Sequence, residues 1–170
     1  MKPPAALAAC LLAAACATVA PPEIPLQGLP SGFDMAGRMS VTHDGRGDIA
    51  RIRWARTPDA DVWTVSSPLG AELARIERGA DGLVVHRPDA VPVVAASFAD
   101  LTENLLGAAL DERLLVAWLH ARPVAGPEGW AVTIDETRRV GGTEVARRIT
   151  AAREGIVVKL VVDDYQARPE

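Results

Sequence analysis

The sequence predicts a mainly β domain in which short antiparallel strands are interrupted once by two short helices. From residue 33 onward, apolar residues alternate with polar ones in runs of a few residues, the pattern of strands with one buried face. No helical pattern separates the first five of these runs, which favours an antiparallel meander over a parallel sheet. At 170 residues the chain is long enough for one domain with its own core and too short for two.

The first half of the domain consists of predicted strands and turns. The first strand begins at Phe33, and its alternation breaks at DGRGD, residues 44–48, which has the composition of a hairpin turn. Alternation resumes with Ile52 and Trp54 on one face. Three further runs, each bounded by turn residues, follow: VWTVSS at 62–67, AELARIE at 71–77 and GLVVHR at 82–87.

Two helical segments follow these strands. Ser97 is suited to cap the first helix, in which Phe98, Leu101 and Leu105 share a face, and Gly107 can end it. Asp111 opens the second helix. The apolar residues of that helix are Leu114, Leu115, Trp118 and Leu119.

Alternation returns after Pro123 and predicts the last strands. These carry Trp130, Val132 and Ile134, then Val145 and Ile149, then a run at 156–162. The final run carries apolar residues on both faces of the strand, because Val157 and Val161 fall between the inward positions, as expected of a strand covered on both sides.

Charge and motif content exclude several classes of function. The net charge is −4 and the arginines are scattered, so we expect no nucleic-acid partner. GRGDIA at 45–50 fits a loose dinucleotide-binding pattern, but a β-alternating run follows it where a helix is required. The sequence contains no G-x-S-x-G or Walker motif. We therefore expect no enzyme activity and no cofactor.

The titratable residues of the domain are not spaced along the sequence in the way that metal ligands or catalytic groups usually are. His43, His86 and His120 lie far apart, and each is interpreted as a surface or strand residue rather than a metal ligand. Asp61, with Asp59 nearby, is interpreted as a solvated acid close to a strand end. The sequence therefore predicts no metal site.

The N-terminus reads MKPPAALAACLLAAAC, a charged start followed by a short run of Ala and Leu that ends in small residues. The run is too short to span a bilayer and has the length of a signal-peptide core. It resembles the lipobox of bacterial lipoproteins, in which a cysteine becomes the acylated first residue. Cys10 has the better local match, whereas Cys16 leaves a leader of workable length and is favoured; a plain secretory signal is the alternative.

These features predict three parts of the chain. Residues 1–15 form a lipoprotein signal peptide, residues 16–32 form the acylated N-terminus and a Pro- and Gly-rich flexible tether, and residues 33–170 form a single domain. Within the domain, SSPLGAEL at 66–73 places an apolar residue, Leu69, between the turn residues Pro68 and Gly70. Turns exposed to solvent usually carry polar residues, so the presence of a leucine there needs an explanation.

Three segments carry a resemblance to a known family. GRMSV (37–41), RIRWARTPDADVWTVSSPLGAELARI (51–76) and LTENLLG…LVAWLHARP (101–123) resemble the LolB family of outer-membrane lipoproteins, which receive other lipoproteins from a periplasmic carrier. The similarity extends over roughly residues 33–165 in matching order. Two departures are Ala121, where the family usually has Gly, and Tyr165, where many members have Trp.

The resemblance implies a fold and a function. The fold is an incomplete antiparallel β-barrel with short helices forming a lid over an apolar cavity that holds the acyl chains of the cargo. Leu69, with Pro68 and Gly70, is implied to form a membrane-insertion loop. The candidate cavity residues, at positions expected to face the interior, are Ile52, Trp54, Leu73, Ile76, Leu105 and Trp118.

The resemblance also implies partners and a location. The partners are a LolA-like carrier, acylated lipoprotein cargo and outer-membrane lipid, and the protein is expected to be a monomer. It is expected at the outer membrane of a Gram-negative bacterium, lipid-anchored and facing the periplasm. The alternative is a structural or accessory lipoprotein, in envelope assembly or cell-wall binding, whose β domain has a filled core. An acyl-accepting cavity is the feature that separates the two.

Overall fold

The computed structural model describes residue 24 and residues 26–80, 82–106, 109–125 and 129–168. The predicted signal peptide, residues 1–15, lies outside these residues, as do both candidate lipidation sites, Cys10 and Cys16. No helix in the described ranges has the length and apolar character needed to cross a bilayer.

Nine strands and two helices make up the domain. The strands are β1 (Gly32–His43), β2 (Arg46–Arg56), β3 (Asp61–Ser66), β4 (Glu72–Gly79), β5 (Gly82–His86), β6 (Val93–Ala95), β7 (Ala131–Val140), β8 (Thr143–Arg153) and β9 (Ile156–Arg168). The helices are α1 (Phe98–Leu106) and α2 (Glu112–Leu119).

All nine strands belong to one antiparallel sheet, in the order β6-β5-β4-β3-β2-β1-β9-β8-β7. The long pairing of β1 with β9 joins the two halves of the chain, since Gly32 lies opposite Arg168 and His43 opposite Ile156. Within the described residues β6 and β7 are the edges and do not pair with each other, so the barrel is incomplete. The predicted fold class, mainly β with two short inserted helices, is confirmed.

The first hairpin turn is shorter than its sequence suggested. Asp44 and Gly45 form a two-residue turn with φ values of 48° and 79°, the two positive angles that a type I′ turn requires. Arg46, Gly47 and Asp48 already belong to β2. The turn predicted over 44–48 is therefore wrong in extent, because a two-residue turn leaves the next residues free to join the ladder.

One glycine in β1 is required by close packing of two strands. The β1–β9 register shifts between Ala36 and Gly37, and a Cβ at Gly37 would lie 2.4 Å from the carbonyl oxygen of Val161. Only a residue without a side chain fits there.

Both helices begin where the capping residues predict. The Ser97 hydroxyl accepts a hydrogen bond from the Asp100 N–H at 3.0 Å, and the Asp111 carboxylate accepts one from the Arg113 N–H at 2.7 Å.

The C-terminus of α2 ends in a Schellman arrangement. The Arg122 N–H donates to the Ala117 carbonyl at 2.9 Å, and the Ala121 N–H donates to the Trp118 carbonyl at 3.0 Å. Ala121 itself is left-handed, with φ 55°. The alanine noted as a departure from the family therefore occupies a position that favours glycine.

The helices pack on the buried face of the sheet and complete its core. Val116 and Leu119 of α2 join a cluster built around Phe33 and Trp54, and Trp118 joins a second cluster that includes Trp130. The predicted tether, residues 16–32, also contributes to this core at its C-terminal end. There the apolar side chains that pack against the core are Ile24, Leu26 and Leu29.

Candidate functional site

An apolar cavity of about 440 Å³ lies between the sheet and the two helices. Its lining comes from β1 to β4, β8 and β9 on one side and from α1 and α2 on the other. Apart from Thr102 and Arg87, the side chains around it are apolar. Its volume falls in the range of about 300–1,000 Å³ that is typical of sites for small organic ligands.

Five of the six residues predicted to line a cavity border it. They are Ile52, Trp54, Leu73, Ile76 and Trp118. The sixth, Leu105, lies in α1, but its side chain is outside the described residues. Leu73 keeps 49% of its surface exposed, so it lies at the rim rather than in the interior.

The sequence interpretation missed the lining contributed by the first and last strands. This part of the wall includes Met35, Met39, Ile149, Val158 and Leu160. The alternation in the sequence already placed Met35 and Met39 on the same strand face as Phe33. Alternation shows which face is buried, however, and does not separate a residue that borders a cavity from one in a filled core.

The cavity opens toward one end of the sheet. Its exposed lining residues, Leu73 and Arg87, lie near the β3–β4 turn at 67–71 and the β5–β6 loop at 87–92. The register places these two connections together, because Arg75 of β4 lies opposite His86 of β5. We call this side of the domain the open end.

Leu69 stands at the open end with 98% of its surface exposed. The Gly70 N–H donates to the Ser67 carbonyl at 2.9 Å, and Pro68 occupies the second position of this turn, as its fixed φ favours. The Ala71 N–H also donates to the Ser67 hydroxyl at 3.1 Å. The leucine is therefore presented to solvent by a turn that hydrogen bonds hold in place.

The β5–β6 loop adds further exposed apolar surface to the open end. Val91, Val93 and Val94 are all largely exposed, two of them on the edge strand β6. Their signal in the sequence is the run AVPVVAA at 90–96, which was not singled out.

The opposite side of the domain, which we call the closed end, holds a buried cluster of charges. Asp61 is 0% exposed and accepts hydrogen bonds from the Trp54 indole N–H at 2.7 Å, from Arg56 at 3.3 Å and from Arg78. Arg56 and Arg78 also reach Glu112 at the start of α2, at 2.6 and 3.1 Å. The cluster therefore connects β2, β3 and β4 to the N-terminus of the second helix.

Asp61 was interpreted as a solvated acid, and that interpretation is wrong. Two arginines and an indole N–H satisfy its carboxylate, which allows a charged group to be fully buried. Burial and the neighbouring charge of Asp61 raise the pKa of Glu112, against the opposing effect of Arg56 and Arg78.

His120 was interpreted as a surface or strand residue and is instead buried at the end of α2. Its Nδ1 lies 2.7 Å from the Val116 carbonyl, and its Nε2 lies 2.8 Å from the Tyr165 hydroxyl. The ring therefore donates through Nδ1 and accepts from Tyr165. Burial lowers the pKa of His120 and raises the pKa of Tyr165 to about 12, so both groups are neutral near pH 7.

Comparison with known families gives a match over most of the domain. The sequence profile of the family described as "Outer membrane lipoprotein LolB" matches residues 31–165. An outer-membrane lipoprotein LolB from Thiobacillus denitrificans is 31% identical over 172 aligned positions, covering 91% of each chain. One from Chromobacterium violaceum is 29% identical and covers 94% of this chain and 96% of its own.

Solved structures show the same fold at low sequence identity. A LolA superfamily protein from Nitrosomonas europaea superposes with a TM-score of 0.56 at 12% identity, covering 86% of this chain and 90% of its own. A DUF1329 family protein from Desulfovibrio piger superposes with a TM-score of 0.54 at 9% identity, covering 82% and 87%.

Proposed function

The chain belongs to the outer membrane lipoprotein LolB family, as the sequence predicted, and from this premise we propose that it receives acylated lipoproteins from a periplasmic carrier and inserts them into the outer membrane. The observation that carries the proposal is an apolar cavity that opens beside an exposed leucine.

Acyl chains require a protein to escort them through water. Each exposed methylene costs about 0.8 kcal/mol, so several long chains together cost tens of kcal/mol. A receptor must therefore take the chains directly from the carrier and hold them in an apolar space. The cavity supplies such a space, lined by flexible aliphatic and aromatic side chains between the sheet and the helices.

The cavity favours a receptor over a structural lipoprotein with a filled core. In a filled core, the inward side chains of the sheet would contact those of the helices throughout. Here about 440 Å³ remains between them, and Leu73 and Arg87 at its rim are exposed. A ligand can therefore enter from the open end without separating the helices from the sheet.

Acylation at Cys16 would hold the domain close to a bilayer. Ile24, the first apolar residue described in the core, lies eight positions after Cys16, and an extended chain of that length spans at most about 29 Å. Leu69 would then insert from a domain already held near the membrane. At each step, from carrier to receptor and from receptor to bilayer, the acyl chains of the cargo move to a more favourable apolar environment. The transfer therefore needs no nucleotide hydrolysis to drive it.

The test is a transfer assay with the mature chain, residues 16–170, carrying Cys16→Ala so that no acyl anchor is attached. A periplasmic carrier loaded with an acylated lipoprotein is mixed with this chain, and the two proteins are then separated. We expect the acylated cargo to move to the chain and an unacylated cargo to stay unbound. Cargo that remains on a transfer-competent carrier would contradict the proposal.

A pair of matched substitutions tests whether the cavity takes the cargo. Ala74 borders the cavity, so Ala74→Phe fills part of it and should reduce cargo uptake. Ala55 neighbours Trp54 along β2 and lies on the opposite face, so Ala55→Phe makes the same change away from the cavity. Equal uptake by the two variants would argue against the cavity as the acceptor site.

A further inference from the structure

Exposed apolar side chains are concentrated at the open end. Among the described residues, six large apolar side chains are exposed, and one of these, Ile49, lies on β2. The other five belong to the β3–β4 turn, the β5–β6 loop or the strand residues beside them: Leu69, Leu73, Val91, Val93 and Val94. Adjacent exposed apolar side chains are typical of a surface that contacts a partner.

The β5–β6 loop presents one of these side chains on a restricted backbone. The loop begins with a turn in which Pro88 occupies the second position and the Ala90 N–H donates to the Arg87 carbonyl at 3.4 Å. Val91 follows this turn and precedes Pro92, and a residue before proline favours an extended backbone. The loop therefore holds Val91, which is 84% exposed, much as the neighbouring turn holds its leucine.

The β3–β4 turn and the β5–β6 loop lie side by side. Strands β3, β4, β5 and β6 are consecutive neighbours in the sheet, and adjacent strands are about 4.8 Å apart, so the centres of the two connections are about 10 Å apart. Leu73 and Arg87, the exposed residues of the cavity lining, belong to the same stretch of the sheet end. One surface that contacts both connections therefore covers the opening of the cavity.

Arg87 adds a positive charge to this opening. Its side chain is exposed, and among the described residues it forms no ion pair, not even with Asp89, the one acid of its own loop. A guanidinium beside an apolar opening complements a ligand in which an anionic group adjoins hydrocarbon. A phospholipid bilayer has these two features, because its phosphates lie at the edge of the acyl region.

We infer that the β5–β6 loop is a second membrane contact, in which Val91 enters the bilayer beside Leu69 and Arg87 binds a phospholipid phosphate. The inference rests on the proposed function, which brings Leu69 to the bilayer. A bilayer fits two projecting side chains better than a protein does, because lipid accepts them without a pocket of matching shape. With both connections in the lipid, the cavity opens onto the acyl region, and the cargo chains leave it without crossing water.

Fluorescent labels on single cysteines test the contact directly. The mature chain with Cys16→Ala has no other cysteine, so Leu69→Cys, Val91→Cys and Ala80→Cys each create one labelling site. Ala80 is exposed in the β4–β5 turn at the closed end and serves as the control. An N-terminal histidine tag and vesicles of phosphatidylethanolamine, phosphatidylglycerol and a nickel-chelating lipid replace the acyl anchor. We expect the emission of an environment-sensitive label to shift to the blue at positions 69 and 91 and to stay unchanged at position 80.

Two charge substitutions separate the apolar and the ionic part of the contact. The readout is flotation of the untagged chain with vesicles of phosphatidylethanolamine and phosphatidylglycerol. We expect Val91→Glu to weaken vesicle binding about tenfold and Arg87→Gln to weaken it about fivefold at low ionic strength, with a smaller effect of Arg87→Gln in high salt. Ala80→Glu and Arg113→Gln make the same charge changes at exposed sites of the closed end, and binding should stay within about twofold of the wild type.

Cargo uptake from the carrier distinguishes a bilayer contact from a carrier contact. Val91→Glu should take up cargo as the wild type does. Reduced uptake together with normal vesicle binding would identify the carrier as the partner of this loop and overturn the inference. A label that shifts at position 69 but not at position 91 would also overturn it, while leaving the proposed function intact. If neither label shifted, the insertion step of the proposed function would fail as well.

Discussion

The two ends of the β3–β4 hairpin invert the usual distribution of polar and apolar side chains. At the closed end Asp61, the first residue of β3, is fully buried, whereas at the open end Leu69 is 98% exposed in the turn between the strands. Surveys of folded proteins find acids almost never fully buried unless paired. The difference shows that one hairpin provides both an attachment for α2, through buried charges, and an apolar side chain exposed to solvent.

At the closed end, ion pairs connect the sheet to α2. Asp61 and Glu112 share the guanidinium groups of Arg56 and Arg78, so the sheet and α2 are connected through four side chains. Buried ion pairs add little net stability when intact, but removing one partner leaves the others unpaired in a poorly solvated place.

Removing Asp61 should therefore produce the largest effect. We expect Asp61→Ala to lower the free energy of unfolding by about 3–5 kcal/mol, measured by urea denaturation, because the Trp54 N–H loses its acceptor and two arginines are left with Glu112 as their remaining carboxylate. Asp59→Ala is the matched control, since Asp59 is exposed two residues away and should change stability by less than about 0.5 kcal/mol. Similar losses of unfolding free energy in the two variants would mean that the buried charges at the closed end do not stabilise the fold in particular.

The open end should respond in function and not in stability. We expect Leu69→Glu to leave unfolding and cargo uptake unchanged, because the side chain contacts solvent. Delivery of cargo from the anchored protein to liposomes should fall by roughly tenfold to a hundredfold, in line with the loss of about 1.5–3 kcal/mol of apolar burial. Leu69→Met keeps an apolar side chain and serves as the control. Delivery by Leu69→Glu equal to that of the wild type would exclude insertion by this loop.

Local pattern predicted more of the open end than of the closed end. Pro68 and Gly70 are the immediate neighbours of Leu69, so its exposure could be inferred from turn chemistry alone. The cluster around Asp61 depends on Arg78, 17 residues away, and on Glu112, whose partner Arg56 is 56 residues distant. Neither spacing has a local signature. Alternation alone likewise could not show the cavity, because it marks the buried face of a strand and says nothing of what fills the space beyond it; the cavity was implied only by the family resemblance.

The C-terminus of α2 offers a smaller test of stability. Ala121 adopts φ 55°, a conformation that costs a residue with a Cβ about 1 kcal/mol or more relative to glycine. We expect Ala121→Gly to raise the free energy of unfolding by about 1 kcal/mol. Ala99→Gly, within the ordinary helical backbone of α1, should instead lower it by about 0.5–1 kcal/mol. Destabilisation by Ala121→Gly would contradict the Schellman geometry.

The smallest expected effect concerns pH and the buried His120. An unfolded histidine has a pKa of about 6.5, and burial, together with the charges of Arg122 and Arg56, lowers the pKa of His120 in the folded chain. As the pH falls below 6.5, the unfolded chain therefore binds a proton that the folded chain does not. Folding loses stability between pH 6.5 and the lowered pKa, by at most about 0.7 kcal/mol between pH 7 and pH 6.

His120→Gln isolates this contribution, because glutamine does not titrate and its amide can still meet the Tyr165 hydroxyl. Urea unfolding at pH 7 and at pH 6 should show a smaller loss of stability in the variant than in the wild type. Glu112 has a raised pKa and shifts stability in the opposite direction as the pH falls further, but it is present in both chains and cancels in the comparison. Equal pH dependence of the two proteins would mean that folding leaves the protonation of His120 unchanged, and would contradict a neutral His120–Tyr165 pair in the folded chain.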